Sequence, residues 1–575
     1  MKIMAFTWCS KVVLEILILH LLFALYSCGP REQFLEELHL ISLNSRHTLA
    51  YFKFTIISLN KSENHFNFFP NALGRVLNAY NVTELHLSLT QGLWRSHIWP
   101  HYAPTEPTGA HLLATFQHDN AERINTNWNR LVHSLSGLFC ASFSQIDSTR
   151  TVTPKYILFA NGTRNIFSNY ASMRYGMLPS ENVCTENLTP WKKLLPCKLN
   201  RGLTALLNPR RLFNAHYVSL ALKVTKTCQE NKSNQCASAN WKLVQSVTAV
   251  LDNYKEDWSL QNYFFVPIQQ PCNIAFKSAV IVLVKDLKSS SISKLSASRV
   301  KVNDCNIIAL DSGRDLFVNE FSLKMYDVHP VTPCLSRLPV LLNTYVLGVG
   351  FHHLTLMHRI SNEAPKEMTV LFSQTIPWII RVYFHTLTLT CAGEQKSFEI
   401  LNYEPAKNRL KPHYFELLIQ VPALSVCHLQ VNFDKNLLRW TEYPPDANRG
   451  FMLPAASLLY YMPDLKVNSD VVSKALNFSQ KNFDAFKQPV QVYGESLLLN
   501  LPTPDFSMPY NVICLVCTVV ALIFGPIHNV TTKRLVLKHH RELGSRVSLR
   551  RLFAYFKRDN VECVSKLPIQ EEQTN

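Results

Sequence analysis

One uncharged apolar run near the C-terminus limits what this chain can fold into more than any other feature. Val512 to Phe524 carries no charged residue. With Met508 to Tyr510 and Gly525 to Ile527 it reaches the roughly 20 residues that a helix needs to cross a bilayer core. Whatever folds ahead of it must therefore end at a membrane surface. The preceding segment, LPTPDFSMPYN, is Pro-rich and sets Asp505, Ser507 and Asn511 where the chain meets lipid. A plain anchor has no need of such a polar collar, and polar groups at membrane depth tend to be functional. A structural role competes at this point, with Asp505 as the N-cap of the helix and Ser507 behind it.

The opposite end supplies the topology. Lys2 and Lys11 precede VVLEILILHLLFALY, and Ser27, Cys28 and Gly29 follow. This is the layout of a signal peptide over residues 1–29. After the apolar run, ten Lys and Arg face five Asp and Glu in residues 528–575. Basic residues beside a span stay on the cytosolic side. The expectation is a single-pass type I protein with residues 30–507 in the secretory lumen, a span at 508–527 and a basic cytosolic tail. A GPI-attachment signal would end the chain in its apolar segment, and here a long polar tail follows. Lumenal sequons fit this orientation, making Asn60, Asn81, Asn161, Asn187, Asn231 and Asn477 the glycosylation candidates. The formal net charge of +17 comes without an RNP, zinc-finger or basic-helix pattern. It suits a surface beside membrane phosphates better than nucleic acid.

Hydrophobic periodicity predicts a mainly β, α+β architecture. Leu49–Leu59 and Glu84–Leu89 alternate as strands. FPNALGRVLNAY reads as a short helix with Pro70 in its first turn. Over residues 119–138, Ile124, Trp128, Leu131, Leu135 and Leu138 recur at spacings of three and four, the stripe of an amphipathic helix. Later runs such as HYVSLALKV, NWKLVQSVTAVL, SAVIVLVKDL, IIRVYFHTLTLT, HYFELLIQVP and CHLQVNFD are strand-like. Lys288–Ser298, KSSSISKLSAS, has linker composition. The expectation is two lumenal β-sandwich-like domains, 30–287 and 288–507, with a few packed helices.

No hydrolase signature is present: there is no GxSxG, HExxH or Gly-rich phosphate loop. No metal or cofactor is expected. Adjacent His352 and His353 on a strand would face opposite ways. Ten cysteines lie in the lumenal part, where an oxidising compartment favours disulfides. Cys140, in GLFCASF, reads as a core or disulfide-bonded cysteine. Cys184 and Cys197 flank a polar loop, VCTENLTPWKKLLPC. An interchain bridge from Cys184 and an internal Cys184–Cys197 bridge are both compatible with that spacing. In LLRWTEYPPDANRGF, Trp440, Tyr443 and Phe451 suit a lipid interface, with Asp446, Asn448 and Arg449 nearby.

Five blocks, CTENLTPWKKLLPC, LFCASFSQIDSTRTVTP, ELHLSLTQGLWR, LLRWTEYPPDANRGF and LLLNLPTPDFSMPYNVICLVCTVVA, resemble the PIG-T family of GPI-anchor transamidase subunits. The resemblance covers nearly the whole mature chain and thins between about Leu287 and Val340 and in the tail. It implies residence in the endoplasmic reticulum membrane, in a complex that replaces a C-terminal signal of precursor proteins by a GPI lipid. It implies that catalysis belongs to a caspase-like subunit, PIG-K, which this chain supports without being an enzyme itself. It assigns Cys184 to the interchain disulfide with that subunit, and Asn448, Asp505, Ser507 and Asn511 to contacts with the GPI lipid. Arg449 departs from the family pattern, which usually has a smaller or neutral imidazole side chain there. From the residues alone, a type I lumenal receptor for glycans or cargo is the alternative.

Overall fold

The computed structural model describes residues 32–43, 47–58, 66–117, 120–156, 172–197, 201–230, 236–252, 257–284, 297–302, 305–311, 322–324, 337–350, 352–443, 447–461, 490–503 and 507–533. The signal peptide expected over residues 1–29, the tail beyond residue 533 and the sequons at Asn60, Asn161, Asn231 and Asn477 lie outside the described residues. The chain divides into two compact units, one ending at Thr503 and one starting at Pro504.

The chain is mainly β with few helices, and its first region is built on one wide sheet. In spatial order its 11 strands are Ala297–Val302, Cys305–Asp311, Lys277–Val284, Glu32–Ser42, His47–Ser58, Cys236–Asp252, Tyr217–Glu230, Val82–Gln91, Gly109–Phe116, Met173–Leu178 and Thr151–Val152. Neighbours run antiparallel, except that Glu32–Ser42 pairs in parallel with Lys277–Val284. Side chains alternate between faces along a strand, and Phe34, Leu38 and Leu40 share a buried face with Phe52, Phe54, Leu85 and Leu87.

Helices cover that face. Asn120 caps the Ala121–Phe139 helix by accepting from Glu122 N–H, and Ile124, Trp128, Leu131, Val132, Leu135 and Phe139 are its buried stripe. Each such side chain contributes about 1.5–3 kcal/mol by leaving water. The shorter Asn71–Ala79 and Thr185–Lys193 helices lie on the same core. Lys277–Val284 and Ala297–Val302, on either side of the expected linker Lys288–Ser298, both pair with Cys305–Asp311, and residues 285–296 between them lie outside the described residues.

The second region is a sandwich of two five-stranded sheets. One holds Val340–Leu347, Leu354–Asn362, Ser425–Lys435, Ile380–Cys391 and Glu394–Lys396, and the other Glu399–Glu404, His413–Val421, Met368–Ile376, Ser457–Tyr460 and Val490–Tyr493. Val340, Ile360, Phe372, Leu389, Leu417, Ile419 and Leu429 are fully buried between them. Cys391 and Cys427 face each other across neighbouring strands and are joined. The sandwich meets the first region through buried Glu416, whose carboxylate accepts from the N–H groups of Lys155 and Tyr156 at 3.1–3.3 Å.

The second compact unit holds the Ser507–Thr532 helix. Its Tyr510–Thr532 stretch, 23 residues long with a most apolar 18-residue window of mean hydropathy 2.2, is long and apolar enough to cross a membrane. At 1.5 Å per residue it measures about 35 Å, against a hydrocarbon core of about 30 Å. The helix continues past Pro526 to Thr532, beyond the expected end at 527. Thr518, Thr531 and Thr532 donate their hydroxyls to carbonyls one turn back, so these three hydroxyls are satisfied within the helix, as a lipid surround requires.

Candidate functional site

Two surface features carry the residues that the sequence singles out. The first is a corner made by two helix ends. Cys184 is the extended residue before the Thr185–Lys193 helix, and its N–H donates to Asn187 Oδ1 at 2.8 Å. Asn187 is buried, and its Nδ2 donates to the carbonyls of Phe139 (3.1 Å) and Cys140 (2.9 Å). One amide thus locks the start of one helix to the end of the Ala121–Phe139 helix. Beneath it Leu188 and Trp191 are fully buried, and Trp191 packs edge-on against Phe54 with ring centroids 6.2 Å apart. Gln245 donates to the Trp191 carbonyl at 3.1 Å. Lys192 reaches the Leu207 carbonyl at 3.0 Å, and burial lowers its pKa from the ordinary lysine range.

Cys184 is nevertheless exposed and free. The internal Cys184–Cys197 bridge is ruled out here because Cys197 is joined to Cys272. An exposed thiol on so fixed a backbone can form a mixed disulfide with a cysteine of another chain, which needs Cα atoms held about 4.4–6.8 Å apart. Cys140 overturns its expectation as a core or disulfide-bonded residue. It ends the helix in the left-handed conformation, φ 52°, which turns it outward as a second exposed free thiol. The apolar GLFCASF context gives no hint of that turn.

The second feature is the turn before the span. Arg409 pairs with Glu442, and Tyr443 donates its hydroxyl to the Pro502 carbonyl. Ala447–Arg449 forms a single 3-10 turn, and Phe451–Leu453 then pairs with Leu497–Leu499. Gly450 between them has φ 75°. A Cβ there would sit 2.5 Å from the Leu499 carbonyl oxygen and 2.9 Å from Asn500 Oδ1, so only glycine fits. Asn448 and Arg449 are exposed at the tip. The turn is thereby stapled to the strand that leads toward the span.

Asp505 lies outside the described residues. Ser507 opens the apolar helix, and Asn511 is exposed on it one turn later. The structure thus puts Ser507 and Asn511 on one helix and Asn448 in the first compact unit.

Comparison with known proteins gives one consistent answer. The chain matches the family described as Gpi16 subunit, GPI transamidase component, over residues 18–257 and 252–555. It is 36% identical over 545 residues to the GPI-anchor transamidase component PIGT of Homo sapiens, covering 90% of this chain and 93% of that protein. It is 30% identical to the GPI transamidase component PIG-T homolog of Schizosaccharomyces pombe, covering 89% and 92%. It is 28% identical to the GPI transamidase component GPI16 of Saccharomyces cerevisiae, covering 82% of each.

The chain belongs to the Gpi16/PIG-T family.

In this PIG-T family chain the sequons divide on burial. Asn81 is exposed, at φ 54° in the turn before the Val82–Gln91 strand, open to a glycan. Asn187, counted among the candidates, is 2% exposed with both ends of its amide committed. The folded chain uses it as a clamp and presents no free amide there. The sequon gives no signal of this, because the motif specifies neighbours in sequence and says nothing about burial.

Proposed function

We propose that this chain is a non-catalytic subunit of the GPI transamidase in the endoplasmic reticulum membrane. It holds the caspase-like catalytic subunit through an interchain disulfide from Cys184, and it contributes Asn448, Asp505, Ser507 and Asn511 to the binding of the GPI lipid. The observation that carries this reading is the state of Cys184: exposed and unpaired on a helix start whose surroundings are buried and hydrogen-bonded. Family membership supports it.

The chemistry follows from the residue types. A tether at Cys184 keeps the catalytic subunit at high local concentration beside the membrane where its substrates sit. A carboxylate such as Asp505 pairs with the ammonium of a phosphoethanolamine. The amides of Asn448 and Asn511 and the hydroxyl of Ser507 suit sugar and phosphate oxygens. Arg449 adds a guanidinium fork matched to phosphate. Precursor proteins bearing a GPI-attachment signal are then the other substrate, and the amide exchange itself belongs to the partner.

In cells whose own family member has been removed, Asp505→Ala or Asn448→Ala is expected to lower surface display of GPI-anchored proteins while the complex still copurifies intact. Normal display at normal expression would refute the lipid-binding half of the proposal.

A further inference from the structure

A cluster far from both features in sequence has the makings of a metal site. His86 and His111 lie on neighbouring antiparallel strands, with His86 opposite Leu113 and His111 opposite Ser88. That diagonal places both imidazoles on one face, within reach of each other. Glu106, from the loop between those strands, comes over the same face. Tyr217 pins its backbone by accepting from Glu106 N–H at 2.9 Å and donating to its carbonyl at 3.3 Å.

His86 Nε2 lies 2.9 Å from Glu106 Oε1, and His111 Nδ1 lies 3.6 Å from Glu106 Oε2. The three donor atoms fall within 4.8 Å of one another. The side chains of Glu106 and His111 are each only 4% exposed. Glu106 Oε2 makes no well-formed hydrogen bond, although a buried carboxylate oxygen left that way is costly.

The distances match one kind of occupant. Zinc takes nitrogen at about 2.0–2.1 Å and carboxylate oxygen at about 2.0–2.2 Å in tetrahedral geometry, which sets donor atoms about 3.4 Å apart and two ligating imidazole centroids about 5.2 Å apart. The observed separations of 2.9 and 3.6 Å bracket the first figure, and the ring centroids of His86 and His111 are 5.1 Å apart.

The histidines open on a cavity of about 40 Å³ between the two regions, lined also by Tyr175, Gln374, Ser457 and Tyr493. That is space for about three waters, too little for a sugar or a peptide and enough for an ion with its water. Two imidazoles, borderline nitrogen donors, beside a single carboxylate suit zinc better than calcium and magnesium, which take oxygen ligands throughout.

We propose that His86, Glu106 and His111 bind a zinc ion whose fourth position is held by a water in this cavity. The ion is ligated by the first region, and its water faces the second, so that it braces the junction between them.

The test uses the full-length chain purified in detergent without chelator. Metal content is measured by mass spectrometry, and cobalt is titrated as a probe for the visible bands of a tetrahedral site. The expected result is one zinc per chain and a tetrahedral cobalt spectrum. His86→Gln, at the most exposed of the three ligands, and His111→Gln should each weaken binding by at least about tenfold while the chain still elutes as a folded species. His216→Ala, which disrupts the separate surface cluster of His47, His216 and Asp252, should leave the metal in place. A folded wild-type chain that takes up neither zinc nor cobalt would overturn the proposal and reduce the cluster to a hydrogen-bonded His–Glu–His set. Loss of metal on His216→Ala but not on His86→Gln would also overturn it.

Discussion

The Cys184 corner and the Asn448 turn are both exposed, but they are held in opposite ways. The corner rests on buried Asn187, Leu188 and Trp191, with one amide tying two helix ends together and the Cys197–Cys272 bridge just beyond the helix. The turn is backed by a three-residue ladder, one glycine, the Arg409–Glu442 pair and the Tyr443 hydroxyl. A covalent partner tolerates little slack, because a disulfide forms only over a narrow range of Cα separations. A lipid headgroup is bound by several adaptable polar contacts, and a short tethered turn is enough to offer them. Rigidity is invested where the geometry is strict.

Removing the foundation of the corner should have the largest effect. Trp191→Ala deletes a fully buried indole and is expected to cost about 3–5 kcal/mol. A thermal melt would show this as a large drop, accompanied by loss of any covalent partner. A small drop would mean that the corner is less firmly founded than its packing indicates.

The same foundation contains one unfavourable charge. Glu36 is 1% exposed, accepting from Ser278 Oγ at 2.5 Å and Leu203 N–H at 3.2 Å. Burial, only partly offset by those two hydrogen bonds, raises its pKa to about 7. Between about pH 4.5 and 7 the folded chain keeps a proton that the unfolded chain has lost, so stability falls as pH rises through that window and levels off above it. Glu36→Gln should therefore stabilise the chain by about 3 kcal/mol near pH 8 and change little near pH 4.5. Melts at the two pH values check it, and an equal effect at both would show that the site is wetter than the packing implies.

On the other side of the comparison, Gly450→Ala forces a side chain into φ 75° against the Leu499 carbonyl. An expected loss of about 1–3 kcal/mol should be local, lowering GPI-anchored protein at the surface more than it lowers the melting temperature of the first compact unit. Asn448→Ala, at the exposed tip, should move the melt by no more than about 0.5 kcal/mol. If Gly450→Ala unfolded the whole of the first compact unit, the contrast between a founded corner and a tethered turn would fail.

Much of the fold was legible in the sequence where periodicity was strong. The stripe over 119–138 became the Ala121–Phe139 helix, and HYFELLIQVP became the His413–Val421 strand. What periodicity does not carry is pairing. Nothing in KSSSISKLSAS says that the strands on either side belong to one sheet. Nothing in the positions of His86, Glu106 and His111 says that a diagonal register will gather them.

The candidate sites were legible to differing degrees. Cys184 stood out as a cysteine in a polar loop, although its alternative pairing with Cys197 could be rejected only once Cys272 was seen beside Cys197. Cys140 was misread because a left-handed helix end, invisible in composition, turns an apolar-looking position to solvent. Asn187 read as a sequon and proved to be the clamp of the whole corner.

The central claim is that Cys184 is the covalent docking point. A non-reducing gel of the native complex, run with wild type, Cys184→Ser and Cys140→Ser, tests it most directly. The expected result is a high-mass adduct in wild type and in Cys140→Ser that collapses on reduction and is absent from Cys184→Ser. An adduct that persists in Cys184→Ser would contradict the claim, as would a wild-type complex that runs as separate chains without reductant.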